Sequence, residues 1–212
     1  MKIFIAVPTY ETIYPDTFKS IYELDSGGHE LVFDFVRGYD VATARNNIVF
    51  KLQQLNADYV LMIDNDMVIP KDALINLLED EMDVCLGYYP HRGNANIYDG
   101  DVATYRIYDS KGEAYFDYTS DARYTAEQMK SLRELGKHKI QIHGAGMGCA
   151  LIKADVFDRL KYPWFKWVLY NNKGSLSEDL YFCEQCRLNR IPIYTDTRVG
   201  CGHIFRYTQG VI

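Results

Sequence analysis

No stretch of this 212-residue sequence is apolar for long enough to be expected to cross a membrane. The opening run "MKIFIAVPTY" carries one Lys, and Pro8 closes its apolar stretch too early for a signal peptide. Asn-x-Ser/Thr sequons are absent. The five cysteines are an odd number outside any small secreted scaffold, so a reduced, cytoplasmic setting is the expectation. Cys183 and Cys186 form a CxxC, but no second CxxC or CxxH follows at finger-like spacing, and two thiols on a helix are expected rather than a metal or redox centre. Repeats, low-complexity tracts and linker-like stretches are also missing, which favours a single domain over residues 1–212. Positive charge is scarce too: 23 basic against 29 acidic residues leave a net charge of −6. That excludes a general nucleic-acid binder, because phosphate contacts are carried mostly by Lys and Arg.

What the chain does have is hydrophobic residues, at 48%, enough to bury one sizeable core. They fall into short continuous runs: Lys2 to Val7, Leu31 to Val36, Tyr59 to Ile63 and Asp83 to Tyr89. Such runs predict buried parallel strands. Between them lie helical patterns. Asp16 can cap a helix running to about Leu24 that "SGG" at Ser26 to Gly28 stops. Asp40 can cap one with the stripe Val41, Ala44, Ile48, Leu52 and Leu55. Pro70 stands at the first turn of a third, carrying Ala73, Leu74, Leu77 and Leu78. Strands alternating with helices imply an α/β fold with a mostly parallel central sheet flanked by helices. The middle adds a small antiparallel element: "DVATYRIYD" and "EAYFDYT" flank "SKG" as a hairpin, and Thr125 to Gln128 is a capping box opening a helix that ends at Gly136. Ser177 is placed as the cap of a later helix. The tyrosines clustered between Tyr88 and Tyr124 are read as packing first and contacts for a ring-shaped ligand second.

Within "YVLMIDNDMVIP" the third strand delivers two carboxylates to its end. In an extended chain Asp64 and Asp66 point to one side while Asn65 faces away. Open α/β sheets bind ligands at the carboxyl ends of their strands. Two close carboxylates repel unless something positive lies between them, and their hard oxygens suit Mn2+ or Mg2+ with phosphate oxygens completing the shell. Turn or cap residues are the plain alternative. A second acidic pair, Glu178 and Asp179, opens the helix of "SEDLYF", where the helix dipole favours negative charge and a catalytic base would be held ionised and fixed in direction. His203 in "CGHIF" is either a packed histidine or a metal ligand.

Four stretches in order, "IAVPTY", "VLMIDNDMVIP", "HGAGMGCALIKADVF" and "SEDLYFCEQCRLNRIPIYTDTRVGCGHI", together with "DVATARNNIV", resemble the nucleotide-sugar glycosyltransferases of the GT-A (Rossmann-like) fold, particularly small bacterial and phage enzymes of the family-two type. The resemblance implies a nucleotide-binding half over 1–90 and an acceptor and catalytic half over 91–212. It implies that Pro8, Thr9, Tyr10, Arg45, Asp64, Asn65 and Asp66 hold the donor, a UDP-sugar first and a GDP-sugar second, with Arg45 on the base or diphosphate. Asp66 would ligate the metal directly, with Asp64 beside it and His203 completing the site. Asp179 would be the general base and Glu178 its acceptor-positioning neighbour. Gly144, Ala145, Gly146 and Met147 would line the acceptor side, for a carbohydrate or other hydroxyl-bearing acceptor. The match is thinnest from His91 to Lys139, where acceptor identity usually resides.

Three other functions compete. A sugar-nucleotide nucleotidyltransferase would favour a glycine-rich basic loop after the first strand, and "VPTYETIYPD" has no Gly, Lys or Arg. A glycosidase needs one carboxyl with a raised pKa, which no residue pattern marks. A non-enzymatic carbohydrate-binding protein would use the tyrosines but leave two acidic motifs and His203 unexplained.

Overall fold

The computed structural model describes residues 1–79, 81–91, 101–105, 123–170 and 174–205. The first half alternates as expected: β1 (Lys2–Thr9), α1 (Pro15–Tyr22), β2 (Glu30–Arg37), α2 (Val41–Leu55), β3 (Tyr59–Ile63), the short β4 (Met67–Val68), α3 (Ala73–Glu79) and β5 (Val84–Tyr88). There follow β6 (Asp101–Tyr105), β7 (Arg123–Thr125), α4 (Ala126–Glu134), β8 (Lys139–Ile142), β9 (Gly144–Ala145) and β10 (Cys149–Lys153). The chain continues through α5 (Ala154–Arg159), β11 (Val168–Tyr170), β12 (Gly174–Leu176), α6 (Glu178–Leu188), β13 (Ile193–Gly200) and β14 (Gly202–His203).

Seven strands form the central sheet in the order β2-β1-β3-β10-β5-β13-β8. Strands β2, β1, β3, β5 and β13 run one way, while β10 and β8 run against their neighbours. The sheet is therefore mostly parallel with antiparallel parts, and β10 is inserted between β3 and β5. Period-two alternation sends the side chains of β1 to both faces. Phe4 and Ala6 join Ile48 and Leu52 of α2 and Phe182 of α6, whereas Ile3, Ile5 and Val7 join Ile21, Leu74 and Leu77 on the other face. Burial on both faces is why the strand runs read as continuously apolar.

Local side-chain caps account for the starts of α2 and α4. The Asp40 carboxylate accepts the Thr43 N–H at 2.7 Å, and Thr125 and Gln128 exchange the two bonds of a capping box. Four local expectations change. Tyr14 occupies the N-cap of α1, with Pro15 opening the helix and Asp16 within its first turn. Pro70 precedes α3, its carbonyl accepting the Ala73 N–H at 3.0 Å. Ser177 holds the N-cap position of α6, but its hydroxyl turns to the Asp179 carboxylate instead of a backbone N–H. Finally, β2 is an edge strand, so Phe33 and Phe35 remain partly exposed despite the apolar run. The "SKG" hairpin turn lies outside the described residues. Its flank β6 pairs antiparallel with both β7 and β9.

Candidate functional site

Strand β3 ends at Ile63, and the chain turns at once: the Met67 N–H bonds back to the Asp64 carbonyl at 3.2 Å. Asp64 and Asp66 are thus brought together by a turn and not by an extended strand. Asp64 accepts a 2.6 Å bond from the Arg45 guanidinium, which also donates to Glu178. Arg45 comes from the first turns of α2, and only 2% of it is exposed. Burial works against its charge, but the fields of Asp64, Glu178 and Asp179 outweigh it and raise its pKa. Asn65 donates from its amide to the Thr12 carbonyl at 2.8 Å and so braces the loop after β1.

The other acids come from the first turn of α6. Glu178 is buried and faces Arg45; burial pushes its pKa up while Arg45 opposes that shift. Asp179 is half-buried. Its Oδ1 accepts the Leu180 N–H at 2.7 Å and the Ser177 hydroxyl, which fixes the carboxylate and leaves Oδ2 toward the cavity beside Gly146.

His203 reaches the site through a strand pairing that the sequence pattern does not reveal. Strand β14 pairs antiparallel with β4, placing His203 opposite Met67, and the Ile204 N–H bonds to the Asp66 carbonyl at 2.9 Å. Nδ1 of His203 lies 2.9 Å from the Pro90 carbonyl, which can only accept, so Nδ1 carries a proton. Nε2 then faces Asp66 Oδ2 at 3.6 Å. A ring nitrogen bound to a carbonyl while the other faces a carboxylate oxygen is the arrangement of metal-ligating histidines, and equally of an imidazolium–carboxylate pair. Among the described residues no group of three or more His, Cys, Asp and Glu side chains is arranged to hold a metal. Asp64, drawn to Arg45, does not complete a triad with Asp66 and His203.

These groups surround one cavity of about 660 Å³ at the carboxyl ends of β1, β3 and β5. Its lining includes Pro8, Thr9 and Tyr10 after β1, Arg45 of α2, Asp64, Asn65 and Asp66 after β3, and Gly146, Glu178, Asp179 and His203. Gly144, Ala145 and Met147 do not line it, and Ala145 and Met147 are fully buried. Sequence reasoning missed Tyr39 and Trp167, and placed Tyr89 only within a tyrosine cluster read as packing first; all three line the cavity. Tyr89 was discoverable: it follows the apolar run of β5 at the same strand end that marks Asp64. Among the described residues five carboxylates, those of Asp40, Asp64, Asp66, Glu178 and Asp179, against one guanidinium leave the cavity acidic. The CxxC is inert by comparison, with both thiols buried on α6 and burial pushing their pKa values up.

The sequence matches no protein-family profile and no curated protein. Among solved structures the chain is similar to A197 from STIV, with a TM-score of 0.61 and 18% identity over 97% of this chain and 87% of that one. It is also similar to GalNAc-T7, whose structure holds UDP, GalNAc and Mn2+, with a TM-score of 0.60 and 11% identity over 97% of this chain and 44% of that one. This chain therefore spans less than half of the GalNAc-T7 chain. At such identities the likeness establishes the fold, a GT-A-like α/β architecture.

Proposed function

We propose that this chain is a metal-dependent glycosyltransferase that moves a sugar from a nucleoside diphosphate donor, UDP before GDP, to an acceptor hydroxyl with inversion at the anomeric carbon. The observation that carries this reading is the convergence of Asp64, Asp66, Glu178 and Asp179 on one cavity at the carboxyl end of the sheet. The similarity to a fold that holds UDP, GalNAc and Mn2+ in GalNAc-T7 supports it.

Asp66 and His203 are the residues fitted to hold Mn2+ or Mg2+, by donor type and by the Pro90 carbonyl behind the imidazole. A bound divalent ion supplies Lewis-acid neutralisation of the charge that develops on the departing diphosphate. Pro8, Thr9 and Tyr10 border the nucleotide. Arg45, expected on the base or diphosphate, serves in this reading to fix Asp64. Asp179 Oδ2 takes the proton of the attacking hydroxyl as the anomeric carbon gains oxocarbenium character. Glu178, held against Arg45, steadies the helix start that aims Asp179.

Because the cavity is acidic, UDP should stabilise the protein only with its counter-ion. At 100 times Kd, UDP with Mn2+ should contribute about 2.7 kcal/mol, or roughly 5–10 °C in melting temperature. UDP with excess chelator should contribute nothing. Equal shifts in a thermal melt with and without chelator would remove the metal-bridged donor site.

His203→Ala should raise the Mn2+ concentration needed for half-maximal donor cleavage by about tenfold or more, the scale on which metal sites respond to lost ligand support. The fold should survive, since the β14–β4 pairing is backbone-made. An unshifted Mn2+ midpoint takes His203 out of the site.

A further inference from the structure

Two glycines of "HGAGMGCALI", Gly146 and Gly148, seat Tyr89. A Cβ on Gly146 would lie 2.1 Å from the Tyr89 hydroxyl oxygen, and one on Gly148 would lie 2.8 Å from the adjoining ring carbon. Contacts that short do not occur, so any other residue at either position displaces the phenol. The Gly148 N–H donates to the Tyr89 oxygen at 3.0 Å, fixing the hydroxyl from behind. On its free edge the ring meets His203 with centroids 5.4 Å apart.

The hydroxyl also lies between the two acidic pairs. The Cβ position of Gly146 that meets the Tyr89 oxygen also lies 3.5 Å from Asp179 Oδ2, and Gly148, whose N–H holds the phenol, accepts the Asp64 N–H at 3.0 Å through its carbonyl; a phenol, with an ordinary pKa of about 10, keeps its proton at neutral pH. Its oxygen already accepts from Gly148, no described side chain or carbonyl takes its proton, and Tyr89 lines the cavity while only 7% exposed. A buried, neutral, preoriented O–H facing a cavity is a donor that costs no reorganisation when a ligand arrives.

We propose that Tyr89 is a substrate-positioning residue whose hydroxyl donates a hydrogen bond to a hydroxyl group of the transferred sugar. This rests on the glycosyltransferase reading above: with the nucleoside diphosphate beside Asp64 and the acceptor hydroxyl at Asp179, the group between them is the sugar. The partner is a sugar hydroxyl and not the ring oxygen, because a donor to the ring oxygen would oppose the positive charge the ring acquires. Gly146 and Gly148 are thereby specificity elements acting through Tyr89.

Thermal melts of the full chain with Mn2+ and either UDP or a panel of UDP-sugars test this, with steady-state kinetics on the sugar that transfers. Each protein is compared with its own unliganded melting temperature, which absorbs the stability that Tyr89→Phe loses when the Gly148 N–H is left without its acceptor. Wild type should gain more from the UDP-sugar than from UDP. Tyr89→Phe should keep the UDP gain, lose the extra sugar gain, and transfer with kcat/KM lower by about three- to tenfold, one neutral hydrogen bond. Gly146→Ala, which leaves the hydroxyl in place chemically but displaces it, should behave alike. If wild type transfers and both variants retain the full sugar gain and unchanged kcat/KM, the Tyr89 inference is overturned and the glycosyltransferase reading stands. If wild type responds to no nucleotide or nucleotide sugar, the reading of the site falls and the inference with it.

Discussion

Asp179→Asn is expected to lower sugar transfer by roughly 10²–10⁴-fold, the cost of losing a positioned general base, while UDP and Mn2+ still bind. The geometry makes the substitution conservative everywhere but at the reacting atom. Asn keeps the side-chain size, and its carbonyl oxygen can still accept the Leu180 N–H that Asp179 Oδ1 accepts at 2.7 Å. The Ser177 hydroxyl can keep the same partner. An amide nitrogen then replaces Oδ2, the atom left toward the cavity, and it cannot take a proton from an attacking hydroxyl. The effect should fall on kcat with donor affinity unchanged, since Asp179 contacts the acceptor and not the nucleotide in this scheme. Near-normal transfer by Asp179→Asn would eliminate the base and favour a retaining reaction at the same cavity.

The parts legible in the sequence are those with local causes. Buried parallel strands write themselves as continuous apolar runs, and Asp40 and the Thr125–Gln128 box announce their helices because caps are satisfied within three residues. The α/β class followed, whereas the gathering of Asp64, Asp66, Glu178 and Asp179 around one cavity was implied by the family resemblance and not by any local pattern. The unreadable parts depend on distant partners. The two-residue strands β4 and β14 have no period to detect, yet their pairing brings His203 to Asp66. The exposure of β2 follows from its place at the sheet edge, which apolarity alone does not encode. The role of Gly146 and Gly148 becomes visible only when Tyr89, nearly sixty positions away in sequence, is packed against them. Arg45 is a similar case: it lines the cavity, but the two carboxylates that hold its guanidinium, Asp64 and Glu178, come from distant segments that its own stretch of sequence does not announce.

That buried guanidinium leads to the second large effect. Arg45→Met should destabilise the fold by about 3–5 kcal/mol, the usual result of removing one partner of a buried ion pair, or roughly 6–20 °C in melting temperature for a chain of this size. The loss comes mainly from Glu178, which is 5% exposed and would be left as an isolated buried carboxylate; Asp64, 29% exposed at its side chain, can be solvated. Two consequences separate this from a generic packing defect. Burial then pushes the Glu178 pKa up with no cation to oppose it. A carboxyl whose folded pKa exceeds its unfolded value, about 4.5, binds more protons folded than unfolded, so its folded state loses ground as pH rises. The deficit of Arg45→Met against wild type should therefore widen as pH climbs above that value. The double variant Arg45→Met/Glu178→Gln should recover much of the stability, because no isolated buried charge remains, while Asp64 stays unclamped and donor cleavage stays impaired. Chemical denaturation of wild type, single and double variants at two pH values measures both effects. A single variant with a pH-independent deficit, or a double variant that loses as much as the two changes summed, would mean that Arg45 only packs and does not hold the two acidic motifs in register.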